Sequence, residues 1–221
     1  MLTIFDSLNI RGTEFISAGL ALLFVLVVSL SLHEFAHAYV AYKQGDDTAK
    51  ILGRVTINPF AHIDPIGFVC CALFGFGWAK PVPINPIKFR KYRKGLFLTS
   101  IAGVTVNLTL SFFGCGLFLL ISKYLAVMGL NFFTMFLFYF FQFLYLINLC
   151  LFIFNLLPVY PLDGFNCISA LTRYDNKFVN FMHKYGTIIL IVVLFFGDAL
   201  LFQLINWIGT PIELLWSLII Y

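Results

Sequence analysis

Long uncharged stretches, separated by short clusters of charge, set the frame of this chain. Between Glu14 and His33 lie 18 uncharged residues, and the apolar pattern then runs on to Tyr42. Lys94 and Lys123 bracket 28 uncharged residues, and Lys123 and Asp163 bracket 39. From Tyr185 to Ile212 only Asp198 carries a charge. A helix that crosses a bilayer needs about 20 predominantly apolar residues. The pattern predicts an all-α polytopic membrane protein with at least four transmembrane helices, near 15–42, 96–121, 131–154 and 186–206. Residues 207–221 read as a further short or interfacial helix. The first apolar stretch is too long for the core of a signal peptide and holds the most reactive residues of the chain, so it reads as retained.

Two regions interrupt the helical pattern. Residues 43–95 form an irregular segment, with Pro59, Pro65, Pro81, Pro83 and Pro86. Proline at this density forbids a long helix. The uncharged middle of the segment, 65–79, reads as dipping into the membrane or lying along its surface. The second interruption is Asn155-Leu156-Leu157-Pro158-Val159-Tyr160-Pro161-Leu162-Asp163-Gly164. Non-helical backbone at membrane depth persists only when buried in protein or lining a wet cavity. The whole of residues 1–221 reads as a single domain.

Composition agrees with this frame: 61% of residues are hydrophobic and 11% charged. A soluble domain carries about 25% charged residues, and a disordered chain is poor in apolar ones. The small net charge of +4 gives no basis for nucleic-acid binding. Basic residues are distributed unevenly. Nine lie in 43–95 and three in 173–184, and only Arg11 and Lys123 lie elsewhere. With four crossings both rich segments face the cytosol. The five cysteines are odd in number, form no CxxC pair and sit in apolar surroundings, so they read as buried side chains rather than a disulfide framework.

The chemistry concentrates in His33-Glu34-Phe35-Ala36-His37. Histidines at i and i+4 share a helix face, so both imidazoles can reach one zinc ion. The glutamate between them can take a proton from water at the metal without binding it. Ionisable residues after a charge-free run are functional by default in a membrane helix. A catalytic zinc site has three protein ligands. Asp163 is the best third candidate, because Pro158, Pro161 and Gly164 hold its backbone out of a helix. His62 and Asp64 are weaker and read as loop structure. His183, among lysines, reads as a surface residue, and Cys167 as helix packing. Residues 75–85 alternate prolines with small and apolar residues. They could receive an extended substrate by edge pairing, limited by the donors that proline lacks.

In order, four motifs of this chain resemble the site-2 protease family of intramembrane zinc metalloproteases. They are His33-Glu34-Phe35-Ala36-His37, Gly77-Trp78-Ala79-Lys80-Pro81-Val82-Pro83-Ile84-Asn85, Ala102-Gly103-Val104-Thr105-Val106-Asn107, and the run from Asn155 to Gly164. The run from Gly45 to Lys50, Asn58-Pro59 and His62-Ile63-Asp64-Pro65 are also similar to that family. The resemblance covers roughly residues 30–172. Many members have Ala-Gly-Pro where this chain has Ala102-Gly103-Val104.

The resemblance implies one Zn2+ per chain, held by His33, His37 and Asp163, with Glu34 as general base. Asn107 is implied to help hold substrate or developing charge, although asparagine also serves as interhelical glue. Trp78, Pro81, Pro83 and Asn85 are the substrate-binding candidates of the irregular segment. The expected partner is a transmembrane protein or peptide substrate. The chain reads as a bare catalytic core whose regulation comes from a membrane partner. Two other classes stand beside this one. A zinc transporter would repeat its metal-binding residues in more than one helix. A catalytically silent binder of transmembrane helices would need no general base. A membrane protease that processes prenylated tails is disfavoured by Leu162-Asp163-Gly164.

Overall fold

The computed structural model describes residues 12–67, 80–173 and 176–221. Trp78 and most of the 65–79 stretch lie outside the described residues. Long helices occupy the apolar runs: α1 (Thr13–Gln44), α3 (Tyr92–Met128), α4 (Phe132–Leu156), α6 (Lys177–Phe196) and α7 (Asp198–Ile220). Two short helices, α2 (Thr48–Ile51) and α5 (Asp163–Leu171), complete the helical inventory used below. The five long helices are each long and apolar enough to cross a membrane. The protein is an all-α integral membrane protein.

Local signals set the ends of these helices. Gly45 closes α1 with φ +112°, a left-handed conformation that a Cβ would strain. Asn131 and Thr134 form a reciprocal capping box at the start of α4. The side chain of Asn176 accepts from the Phe178 N–H at the start of α6. Between α2 and α3 the described chain is irregular apart from single turns at Pro59–Ala61 and Pro86–Lys88, where proline takes the first position, and helical residues at 65–67.

Helices α1, α3 and α4 form the central bundle. Small residues Ala18, Ala21 and Val25 of α1 meet Tyr139, Phe143 and Leu144 of α4 in one buried cluster. Membrane helices cannot rely on water to drive them together, so close approach over small residues and interhelical hydrogen bonds do that work. Two such bonds are buried here. Asn148 Nδ2 donates to Ser29 Oγ at 2.8 Å, and Ser111 Oγ donates to the Tyr145 carbonyl at 3.0 Å. Each contributes about 0.6–2 kcal/mol in membrane helices.

The run near 186–206 differs from its expectation. The chain breaks at Gly197, so 186–196 belongs to α6 and the remainder to α7, which continues to Ile220. Helix α7 runs parallel to α3. Ile208 and Ile212 share a groove with Leu108 and Phe112. Trp216 Nε1 donates to the Phe112 carbonyl at 2.9 Å. At the far end Lys123 Nζ reaches the Ile220 carbonyl. The start of α7 therefore lies level with the start of α3. The first turns of α6 lie beside Tyr92 and Arg93, also at the start of α3. Helices α6 and α7, joined at Gly197, are each long and apolar enough to cross a membrane, where the sequence pattern gives one helix near 186–206.

Candidate metal centre

His33 and His37 are buried on one face of α1, about one helical turn apart. Their Nε2 atoms are 3.0 Å from each other. Asp163, the first residue of α5, brings its Oδ2 to 3.4 Å from His33 Nε2 and 3.2 Å from His37 Nε2. The three ligand atoms lie within 4.8 Å of one another. The short helix that presents Asp163 follows the irregular turn 157–162, which turns the chain back after α4.

The outer nitrogens of the two imidazoles fix what the inner ones can do. His37 Nδ1 donates to the Thr99 carbonyl at 2.7 Å, a group that can only accept. His33 Nδ1 donates to Asn107 Oδ1 at 2.9 Å. A neutral imidazole that donates from Nδ1 carries its lone pair on Nε2. Two lone pairs and a carboxylate oxygen thus converge on one point, and Asp163 Oδ2 has no hydrogen-bond donor among the described residues. Three acceptors facing one another fit a cation. Two nitrogens and one oxygen are the donor set of a catalytic zinc site, with a position left for water. Hydrogen bonds of this outer kind hold ligand rings in their tautomer and orientation.

Gly103 of α3 makes room for the pair. A Cβ at this position would lie 2.4 Å from His37 Nε2 and 2.6 Å from His33 Cε1. The sequence marked Gly103 as part of a motif, but its role shows only when α3 is packed on α1. Thr99 lies in no motif, and its role, through its backbone carbonyl, shows only in the same packing.

Glu34, between the histidines, faces a cavity of about 410 Å³ shared with His33, His37 and Asp163. Its Oε2 accepts a hydrogen bond from the Val82 N–H at 3.0 Å. The other wall of the cavity is the extended run around Pro81, Val82 and Ile84. Prolines 81 and 83 have no N–H to give. Among the described residues, the carbonyls of Pro81, Val82 and Pro83 accept no hydrogen bond.

The substrate-binding candidates are placed unequally. Pro81 lines the cavity. Pro83 does not reach it. Asn85 turns its side chain to the Ile87 N–H at 3.2 Å and gives its own N–H to Asp46 Oδ2 at 2.6 Å. Asn107 is fully buried behind His33, against the ring rather than in the cavity. Trp78 is outside the described residues. The weaker candidates follow their loop readings. His62 Nε2 donates to the Thr56 carbonyl at 2.8 Å, and Asp64 accepts from the Gly67 N–H at 2.8 Å. His183 is exposed, with its ring against Tyr160 and Phe165. Burial pushes the Cys167 thiol up to about 11, so it stays protonated.

The profile of peptidase family M50 matches residues 21–196. The chain is 43% identical over 188 residues to "Putative zinc metalloprotease YwhC" of Bacillus subtilis, covering 84% of this chain and 85% of the relative. It is 28% identical over 192 residues to Rip2 of Mycobacterium tuberculosis, whose name carries the same description, covering 82% of this chain and 70% of the relative. No solved structure gives a significant match. Membrane helices, a convergent His-His-Asp cluster and a match over most of the chain lead to one conclusion: this protein belongs to peptidase family M50, the site-2 protease family, and is a membrane-embedded zinc metalloprotease.

Proposed function

We propose that the enzyme hydrolyses peptide bonds in or beside the transmembrane segments of other proteins, with water as the nucleophile. His33, His37 and Asp163 hold the zinc ion. The observation that carries this reading is the convergence of their three acceptor atoms within 4.8 Å at the end of a cavity that Glu34 also faces. When bound, zinc supplies Lewis acidity, which polarises a peptide carbonyl and acidifies water.

The chain's own groups do the rest. Val82 N–H holds Glu34 Oε2, which leaves Oε1 free to accept the proton that water gives up as it attacks. The same carboxyl then returns that proton to the leaving amine, so that one C–N bond breaks and one C–O bond forms. Asn107 and Thr99 keep both rings turned inward.

Access is from the cytosolic side. His37 meets Thr99, seven residues into α3, about 10 Å from the end bearing the basic residues 88–94. A loop rich in lysine and arginine stays cytosolic, so water enters over a short path from that face. A zinc transporter would need further ligands along a route across the bilayer, and among the described residues the acceptors gather in one cluster.

The test is cleavage of single-span substrates by purified, zinc-loaded protein in liposomes, with Glu34→Gln as control. Cleavage within or beside the span, absent in the control, is the expected result. Zinc uptake into sealed vesicles without cleavage would replace this reading with transport.

A further inference from the structure

Asp46 is a fully buried carboxylate outside the metal site. It sits just past the end of α1, where Gly45 turns the chain and the Asp46 N–H closes on the Ala41 carbonyl at 3.0 Å. An ionised side chain in such a place must be surrounded by donors. Asp46 has them. Oδ1 accepts from the Thr48 N–H at 3.0 Å and from the Thr48 hydroxyl. Oδ2 accepts from the Asn85 N–H at 2.6 Å, across 39 residues of chain. The first two bonds are local and shape the turn into α2. The third reaches the extended run that walls the cavity.

That run is held at two backbone amides, three residues apart. Val82 N–H binds Glu34 and Asn85 N–H binds Asp46. The run is tied again just beyond, where Arg90 N–H donates to the Gln44 carbonyl at 2.9 Å. Buried Val82 packs with Ala38 and Ala49, so the same stretch of α1 and α2 supports it from behind. Glu34 in α1 and Asp46 just past its end are thus two carboxylates that hold the backbone of the run at two points. Pro81, Val82 and Ile84 of the run line the cavity beside Glu34.

We propose that Asp46 is a positioning residue for substrate. Its buried carboxylate sets the register of residues 81–85 along α1, so that their unused carbonyls accept the N–H groups of an unwound substrate strand beside the metal. This rests on the protease reading above and extends it to how substrate is held. Asp46 does not touch the reacting atoms. Its loss acts on substrate engagement rather than on the proton transfer.

The experiment compares Asp46→Asn and Thr48→Ala with the parent, each zinc-loaded. Asparagine keeps the size of aspartate but has one acceptor oxygen, so it cannot serve both Thr48 and Asn85. Thr48→Ala removes a local bond of the same carboxylate and leaves the bond to Asn85. For Asp46→Asn the expected result is faster amide exchange at Val82 and Asn85, and a KM for a single-span substrate raised about tenfold or more. Its kcat and zinc content stay near those of the parent. Thr48→Ala keeps the parent KM. A second arm needs no turnover: binding of intact substrate to Glu34→Gln is compared with binding to the Glu34→Gln, Asp46→Asn pair. The paired variant binds about tenfold more weakly if the proposal holds. Equal binding, or an unchanged KM despite faster exchange, overturns it. Loss of zinc in Asp46→Asn also overturns it, by showing that Asp46 serves the metal site. If the parent cleaves nothing, the protease reading fails, and the binding arm still decides the role of Asp46.

Discussion

Glu34 Oε2 and the Val82 N–H meet at 3.0 Å across 48 residues of chain. The carboxylate between the two histidines is therefore held by the backbone of the segment that walls the cavity. One oxygen is occupied by a backbone donor, and on the proposed mechanism the other accepts the proton. On the proposed mechanism the link joins the two halves of the reaction, since whatever moves residues 81–85 moves the proton acceptor with them.

Glu34→Gln keeps the shape of the side chain and an oxygen for the Val82 N–H, but removes the proton acceptor. Zinc content stays at the parent level. The cleavage rate falls at least about 10²-fold, the low end for general-base catalysis. A single-turnover assay with zinc measured alongside checks this, and cleavage at the parent rate would end the proposed mechanism.

Metal binding divides the acidic and imidazole residues cleanly. Asp163→Ala lowers the zinc content of the purified protein, and His183→Ala does not. Asn107→Ala frees the outer nitrogen of His33 and weakens zinc binding by about 10–100-fold, the usual effect of losing such an orienting partner. Elemental analysis after dialysis against graded chelator ranks the three. Full zinc retention in Asp163→Ala would assign the third ligand elsewhere.

Gly103→Ala drives a methyl group into the space of both imidazoles, 2.4 Å from His37 Nε2. Overpacking of this kind costs about 1–3 kcal/mol. The expected outcome is loss of zinc together with a lower melting temperature in detergent. A Gly103→Ala protein with parent zinc affinity would show that α3 can move away from α1 at no cost to the site.

Substrate helicity and the wall of the cavity act in sequence. Glycine-to-leucine changes near the cut make a substrate helix harder to unwind, by about 1 kcal/mol for each glycine replaced with a good helix former. They slow cleavage by roughly fivefold each. Val82→Pro removes the donor to Glu34 and slows cleavage without removing zinc. Rates indifferent to both changes would mean that substrate is not unwound against residues 81–85.

Much of the fold was legible because the bilayer imposes a simple rule on length and charge. The runs after Glu14, Lys94 and Lys123 each became a helix. The run around 186–206 misled for a physical reason. Apolarity measures what a helix can be immersed in, and does not mark where one helix ends and the next begins. Gly197 breaks the run, and Asp198 beside it, the one charge between Tyr185 and Ile212, opens α7. In the site, His33, Glu34 and His37 were visible from spacing, and Asp163 from the prolines that precede it. The Thr99 carbonyl and the Val82 N–H were invisible, because backbone groups are the same at every position. Asn107 was visible as a polar residue in a helix, but its partner, His33, belongs to another helix 74 residues away.

The alternation of proline through residues 81–86 also bears on how the protein keeps company with itself. An exposed strand edge normally invites a copy of the same edge, because each carries both donors and acceptors. Here Pro81, Pro83 and Pro86 supply no amide, while Val82 and Asn85 have theirs turned inward to Glu34 and Asp46. What is left is an edge made largely of acceptors. Two such edges brought together would set oxygen against oxygen, so the segment is a poor template for its own aggregation. It stays open to a foreign strand that arrives with its own donors.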